Sequence, residues 1–145
     1  MSSTELERLD SEPFERKMKS RIMYIEHKTD QSDRGDAWIG LAEFSKSGQT
    51  VYFNGHAYKK LKTGGTAGNF YDIETGDEFW ISGVKKNGQD RHWAGGGRVK
   101  IEKAIVDEYL NIVDFGELNE QHYELAEPKR TDKRKFLELE NEQIE

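Results

Sequence analysis

Asn54-Gly55 sits between two alternating apolar runs, TVYF before it and HAYKK after it, and no other pair of residues restricts the fold of this chain so sharply. A type I′ turn needs positive φ at both central positions, and Asn followed by Gly meets that need at least steric cost. The turn predicts Phe53 opposite His56, Tyr52 opposite Ala57 and Val51 opposite Tyr58. The middle of the chain is therefore committed to an antiparallel sheet.

The stretch from Asn69 to Trp93 carries the next hairpin. Phe70, Tyr71 and Ile73 precede Glu74-Thr75-Gly76-Asp77, and Phe79, Trp80 and Ile81 follow it. A two-residue Thr75-Gly76 loop pairs Ile73 with Glu78 and Tyr71 with Trp80, while a bulged turn shifts that register by one; the residues leave both open. Upstream, RIMYIEHK is apolar on both faces, as a central strand is. AWIGLAEF places Trp38, Gly40, Ala42 and Phe44 on one face and Ile39 and Leu41 on the other, so that Gly40 and Ala42 leave room for a neighbour's ring. Small barrels are filled by such alternation of large and small inward residues.

Past Ile81, Ser82-Gly83 ends or bulges the strand, Lys85 to Asp90 reads as an exposed turn, and Val99-Lys100-Ile101 is a short strand expected to close the sheet. Ile105, Tyr109 and Val113 then recur at helical spacing, widened by Val106 and Leu110. This predicts a helix covering one face or opening of the sheet and stopping at Phe115-Gly116, with Gly116 as a left-handed cap. The fold class is mainly β: a small antiparallel, strongly bent sheet or barrel of roughly five to seven strands, with one C-terminal α-helix and charged terminal arms.

With 145 residues, 34% hydrophobic and 34% charged, the chain suits one modest core flanked by solvated ends. The reading divides it into a charged arm at 1–20, a single β-rich domain with its covering helix at 21–116, and a charged tail at 117–145 that is helical on Phe136, Leu137 and Leu139 or simply solvated. There is no cysteine, which excludes disulfides and thiolate chemistry. No apolar stretch approaches a membrane span, and the expected home is the cytoplasm. A net charge of -6 weighs against general affinity for nucleic-acid backbone.

At RIMYIE, then WIGLAEFSKSGQTVYFNG, then NFYDIETGDEFWISGVKKNGQDR, the chain resembles a group of short uncharacterised bacterial proteins. The likeness runs from about Lys19 to Leu110 and is most specific from Tyr71 to Arg91. Members of that group are sometimes labelled 1-deoxy-D-xylulose-5-phosphate synthase. Such synthases are several times longer and carry a Gly-Asp-Gly motif leading to an Asn that holds magnesium and diphosphate. Gly-Asp-Gly does not occur here, so that activity is rejected.

Residue chemistry points away from catalysis and from any cofactor. His27, His56, His92 and His122 form no ligand-spaced pair, so a metal site would have to be assembled wholly by the fold. No Gly-x-Ser-x-Gly elbow is present. Asp72, Glu74, Asp77, Glu78 and Asp90 lie around turns and are expected to be solvated. Gly64 to Gly68 lacks the ending of a phosphate loop, and Gly95-Gly96-Gly97-Arg98 reads as loop punctuation or an anion nest.

Aromatic and cationic residues interleave among Tyr58, Lys59, Lys60, Lys62, Tyr71, Trp80, Lys85, Lys86, Arg91, His92 and Trp93. Trp80 is expected in the core, and Arg91, His92 and Trp93 at an exposed site. The expected ligand surface is Tyr71, Lys85, Lys86, Arg91, His92, Trp93 and Arg98. Its expected occupant is a protein or peptide partner. Single-stranded nucleic acid, stacking on aromatics, is the alternative, followed by an anionic small molecule. An exposed strand edge or the last helix offers a route to a homo-oligomer.

Overall fold

A computed structural model describes residues 19–28, 35–62, 68–91, 97–114 and 116–137. Within them the alternating runs become strands in chain order: β1 Lys19–His27, β2 Ala37–Phe44, β3 Thr50–Phe53, β4 His56–Lys60, β5 Phe70–Asp72 and β6 Glu78–Gly83. Each pairs antiparallel with the next, and β6 returns to pair with β1 through Met23↔Gly83 to His27↔Phe79. The result is a closed six-stranded antiparallel barrel. β1 can take a neighbour on each edge because it is nine residues long and apolar on both faces.

Two further strands lie outside the ring. β7, Val99–Glu102, pairs in parallel with Trp38 and Ile39 of β2, and β8, Tyr123–Ala126, pairs in parallel with β7. β2 changes neighbours along its length, because its last residues, Glu43 and Phe44, pair with β3. The strand at Val99 therefore extends the sheet and does not close it, since β6 already occupies the free edge of β1.

Strand alternation divides the apolar residues between two sides of the barrel wall. Inside lie Met23, Ile25, Ala42, Val51, Phe53, Tyr58, Phe70 and Ile81, with Trp38, Phe44 and Phe79 packed against them. Gly40 makes the expected space: a Cβ there would stand 2.5 Å from two ring carbons of Phe53. Outside, Ile22, Tyr24 and Ile39 meet Val99, Ile101 and Tyr123 beneath a 3₁₀ turn, Lys103–Ile105, and the helix α1, Val106–Ile112. Ile105, Tyr109 and Val113 are the buried stripe that the spacing predicted. α1 ends when Val113 turns extended at φ -90°, ψ 165°. Phe115, at the expected stop before Gly116, lies outside the described residues.

The Asn54-Gly55 turn has φ of 53° and 80°, and its three predicted pairs all form. The second hairpin differs from both expected registers: Tyr71 opposes Glu78, and Phe70 opposes Phe79. Its loop is longer because Asp72 organises it. The Asp72 carboxylate accepts from the N–H of Glu74, its carbonyl accepts from Gly76, and Gly76 takes φ 80°. On β6 it is Phe79 and Ile81 that face inward, so by strand alternation Trp80, expected in the core, points outward and is 41% exposed.

The stretch after residue 116 is more ordered than a solvated tail. It supplies β8, then crosses the first hairpin tip, where Lys129 N–H donates to Asn54 Oδ1 and Gly55 N–H donates to Thr131 Oγ1. A helical turn at 133–137 presses Phe136, 1% exposed, against Tyr52, Ala57 and Ile73 on the outer wall. Burying a phenylalanine in this way contributes about 1.5–3 kcal/mol. Residues 1–18 of the charged N-terminal arm, and Leu139, lie outside the described residues. No helix among the described residues is long and apolar enough to cross a membrane.

Candidate functional site

The sequence-predicted ligand residues are distributed around the barrel. Tyr71 is half-buried on the outer face of β5, opposite Lys59 and Glu78. Lys85 and Lys86 are exposed on a turn in which Gly88 N–H donates to Lys85 C=O and Lys85 N–H donates to the Asp90 carboxylate. Arg98 is exposed and donates to the Tyr123 carbonyl at 3.0 Å. Since β5 and β7 flank opposite stretches of the ring, Tyr71 and Arg98 do not share one surface. His92 and Trp93 lie outside the described residues, as do Gly64, Gly65, Gly95 and Gly96 of the two glycine runs.

Arg91, expected on an exposed site, is 6% exposed. Its Nη1 lies 4.0 Å from Glu26 Oε1, and Glu26 also accepts from the Tyr24 hydroxyl and from Lys28 Nζ. Glu26 lies on the outer face of β1 beside Tyr24, and these donors are how its buried carboxylate is tolerated. Arg91 Nε and Nη1 find no hydrogen-bond acceptor among the described residues. Burial, with the Glu26 charge beside it, pushes the Tyr24 hydroxyl pKa up.

Next to Arg91, Asp90 departs from the solvated state expected of turn carboxylates. Burial raises its pKa to about 6, opposed by the Lys85 N–H and the Lys85 charge. Its charge in turn acts on Tyr109 and Tyr123, whose hydroxyls meet at 3.1 Å and which burial also pushes up. Tyr58, grouped with the lysines in the sequence, points into the barrel and tilts against Phe79 at 4.6 Å.

What the fold does bring together is lysine. A groove of about 770 Å³ lies between the β2–β3 turn, the end of β4 and the turn at 133–137, and Lys46, Lys59, Lys60, Lys62 and Lys133 converge on it. Its other walls are hydroxyl and amide groups of the β2–β3 turn, with Tyr52 and Leu137. The turn is built by Gly48 at φ 79°, whose N–H donates to Ser45 C=O, and by Ser45 Oγ, which accepts from Thr50 N–H. Lys133 is held by Glu43 at 2.8 Å, while Lys46, Lys60 and Lys62 are exposed. No carboxylate is among the described residues that line the groove.

Lys59, Lys60 and Lys62 were visible together in the sequence, but Lys46 and Lys133 were not connected to them. They meet only because β3 and β4 form a hairpin beside the end of β2 and the C-terminal segment folds back over it. The fold is thus a small closed antiparallel barrel with a cationic groove on its outer wall. No protein-family model matches the chain, and no curated protein or solved structure matches it either.

Proposed function

We propose that this protein is a non-catalytic binding module whose ligand is an acidic segment of a partner protein, held in the lysine groove. The observation that carries this reading is the convergence of Lys46, Lys59, Lys60 and Lys62, beside the Glu43-paired Lys133 and with no lining carboxylate, in a chain whose net charge is -6. Such segregation raises the local potential and steers an anionic partner to one face. The aliphatic stems of the lysines and Leu137, which is 53% exposed, add apolar contact beside the charges. A peptide offering carboxylates around one apolar side chain matches that mixture.

Single-stranded nucleic acid is less well served. Base stacking needs an accessible aromatic face. Tyr52, the aromatic of the groove, is 3% exposed. Tyr71 and Trp80 lie on other strands, with Glu78 directly opposite Tyr71.

The test is fluorescence anisotropy with a labelled peptide of alternating glutamate and leucine, set against a labelled oligothymidylate of similar charge. The wild-type chain is expected to bind the peptide more tightly. The double variant Lys60→Glu/Lys62→Glu, whose side chains are partly or fully in solvent, is expected to bind it at least tenfold more weakly. Tighter binding of the oligonucleotide, with log affinity falling steeply against log salt, overturns the reading in favour of a nucleic-acid ligand.

A further inference from the structure

At the opposite end of the barrel, away from the lysine groove, three donor atoms meet. His56 is the first residue of β4 and Asp72 the last of β5, and both belong to the inward-facing set of their strands at the rim. His56 Nδ1 faces Asp72 Oδ2 at 3.1 Å, yet this buried nitrogen makes no hydrogen bond within the described residues. Asp72 is 2% exposed, and its other oxygen, Oδ1, is spent on the N–H groups of Glu74 and Thr75 at 2.8 and 3.3 Å. Oδ2 is thereby left turned towards the imidazole. Glu74 follows in the same loop, and one donor atom from each of the three residues lies within 4.8 Å of the others.

The cluster already draws one cation. Lys135 Nζ stands 2.8 Å from Glu74 Oε2. That ammonium reaches the carboxylate but is not the partner of the imidazole nitrogen.

We propose that His56, Asp72 and Glu74 are the protein ligands of a borderline divalent metal ion of the zinc class, and that Lys135 competes with the ion for Glu74. One imidazole nitrogen with two carboxylates is a donor set for zinc and its transition-metal neighbours, whereas calcium and magnesium take oxygen alone. A metal accepts the Nδ1 lone pair along the ring plane, which answers a buried nitrogen lacking an aligned hydrogen-bond partner. The backbone N–H groups on Asp72 Oδ1 are the kind of outer contact that fixes a ligating carboxylate. Ligands on one zinc ion stand roughly 3.4 Å apart, so Glu74 must release Lys135 and shift by about an ångström to complete the set. Solvent fills the remaining position.

The experiment is calorimetric titration of the metal-free full-length chain with Zn²⁺, with Mg²⁺ as control, followed by Co²⁺ substitution read in visible absorbance. One Zn²⁺ per chain is expected, with at least tenfold weaker binding in His56→Ala and Glu74→Gln. Lys135→Met leaves the ligands in place and is expected to bind Zn²⁺ several-fold more tightly. Asp72 is left unsubstituted because it also organises its loop. Zinc affinity unchanged in His56→Ala assigns the metal to another histidine and overturns the proposal. So does absence of zinc binding in both the wild type and Lys135→Met, two chains in which the ligand residues are intact.

Discussion

At the scale of single residues, Gly40 shows how much one missing Cβ decides. The alternation in AWIGLAEF already marked it as a space-making position, and the ring that fills the space is Phe53 from β3. Gly40→Val is expected to lower unfolding stability by about 1–3 kcal/mol, read from urea denaturation, because the ring has no room to retreat in a packed interior. Asp90 teaches the opposite lesson. Its partial burial, and the reach of its charge to Tyr109 and Tyr123 of distant elements, are not announced by the local turn sequence. With its pKa raised from 3.8 to about 6 in the folded state, both states are protonated at the acid end and Asp90 carries no charge-burial cost there. As pH rises through this window the unfolded chain gives up its proton first, so the folded state loses stability. Asp90→Asn is therefore expected to raise the melting temperature relative to wild type at pH 8, with the difference vanishing below the unfolded pKa of 3.8, near pH 3. A gain of equal size at both pH values contradicts the buried charge.

At the scale of elements, the first hairpin was legible to the residue because Asn54-Gly55 dictates both loop length and register. The second was legible as a hairpin but not in register, because the turn is set by an aspartate side chain folding onto its own loop and not by the dipeptide at its tip. The two-residue slip leaves each side chain on the face it had, and Trp80, expected in the core, faces solvent because its neighbours Phe79 and Ile81 take the inward positions of β6. The C-terminal segment was the least legible element. Its charges read as solvated, and its anchors, Tyr123 and Phe136, are isolated in sequence and acquire meaning only against β7 and against the outer wall at Tyr52. Phe136→Ala is expected to cost about 3 kcal/mol in chemical denaturation and to speed amide exchange at Gly55 and Lys129, whose N–H groups are tied to or by the same segment. Unchanged exchange at those two amides would mean that the segment is held independently of its phenylalanine.

At the scale of the whole molecule, the composition foretold a single modest core, and the chain arranges it as one ring with apolar clusters on both sides of the wall. The candidate sites could not be read from composition, because each is made where distant segments meet: Lys46, Lys60 and Lys133 at one groove, and His56, Asp72 and Lys135 at the far rim. The C-terminal turn touches both, giving Lys133 to the groove and Lys135 to the rim. Closure of the ring has a further consequence, in the time it takes to make the protein. β1 is complete at His27, whereas β6, its second neighbour, is complete only at Gly83. With translation at roughly 5–20 residues per second, one edge of the first strand waits several seconds on the ribosome for the strand that will cover it. A ribosome stalled before Phe79 would hold the nascent chain in that open form, with a long apolar strand available to any other chain emerging nearby.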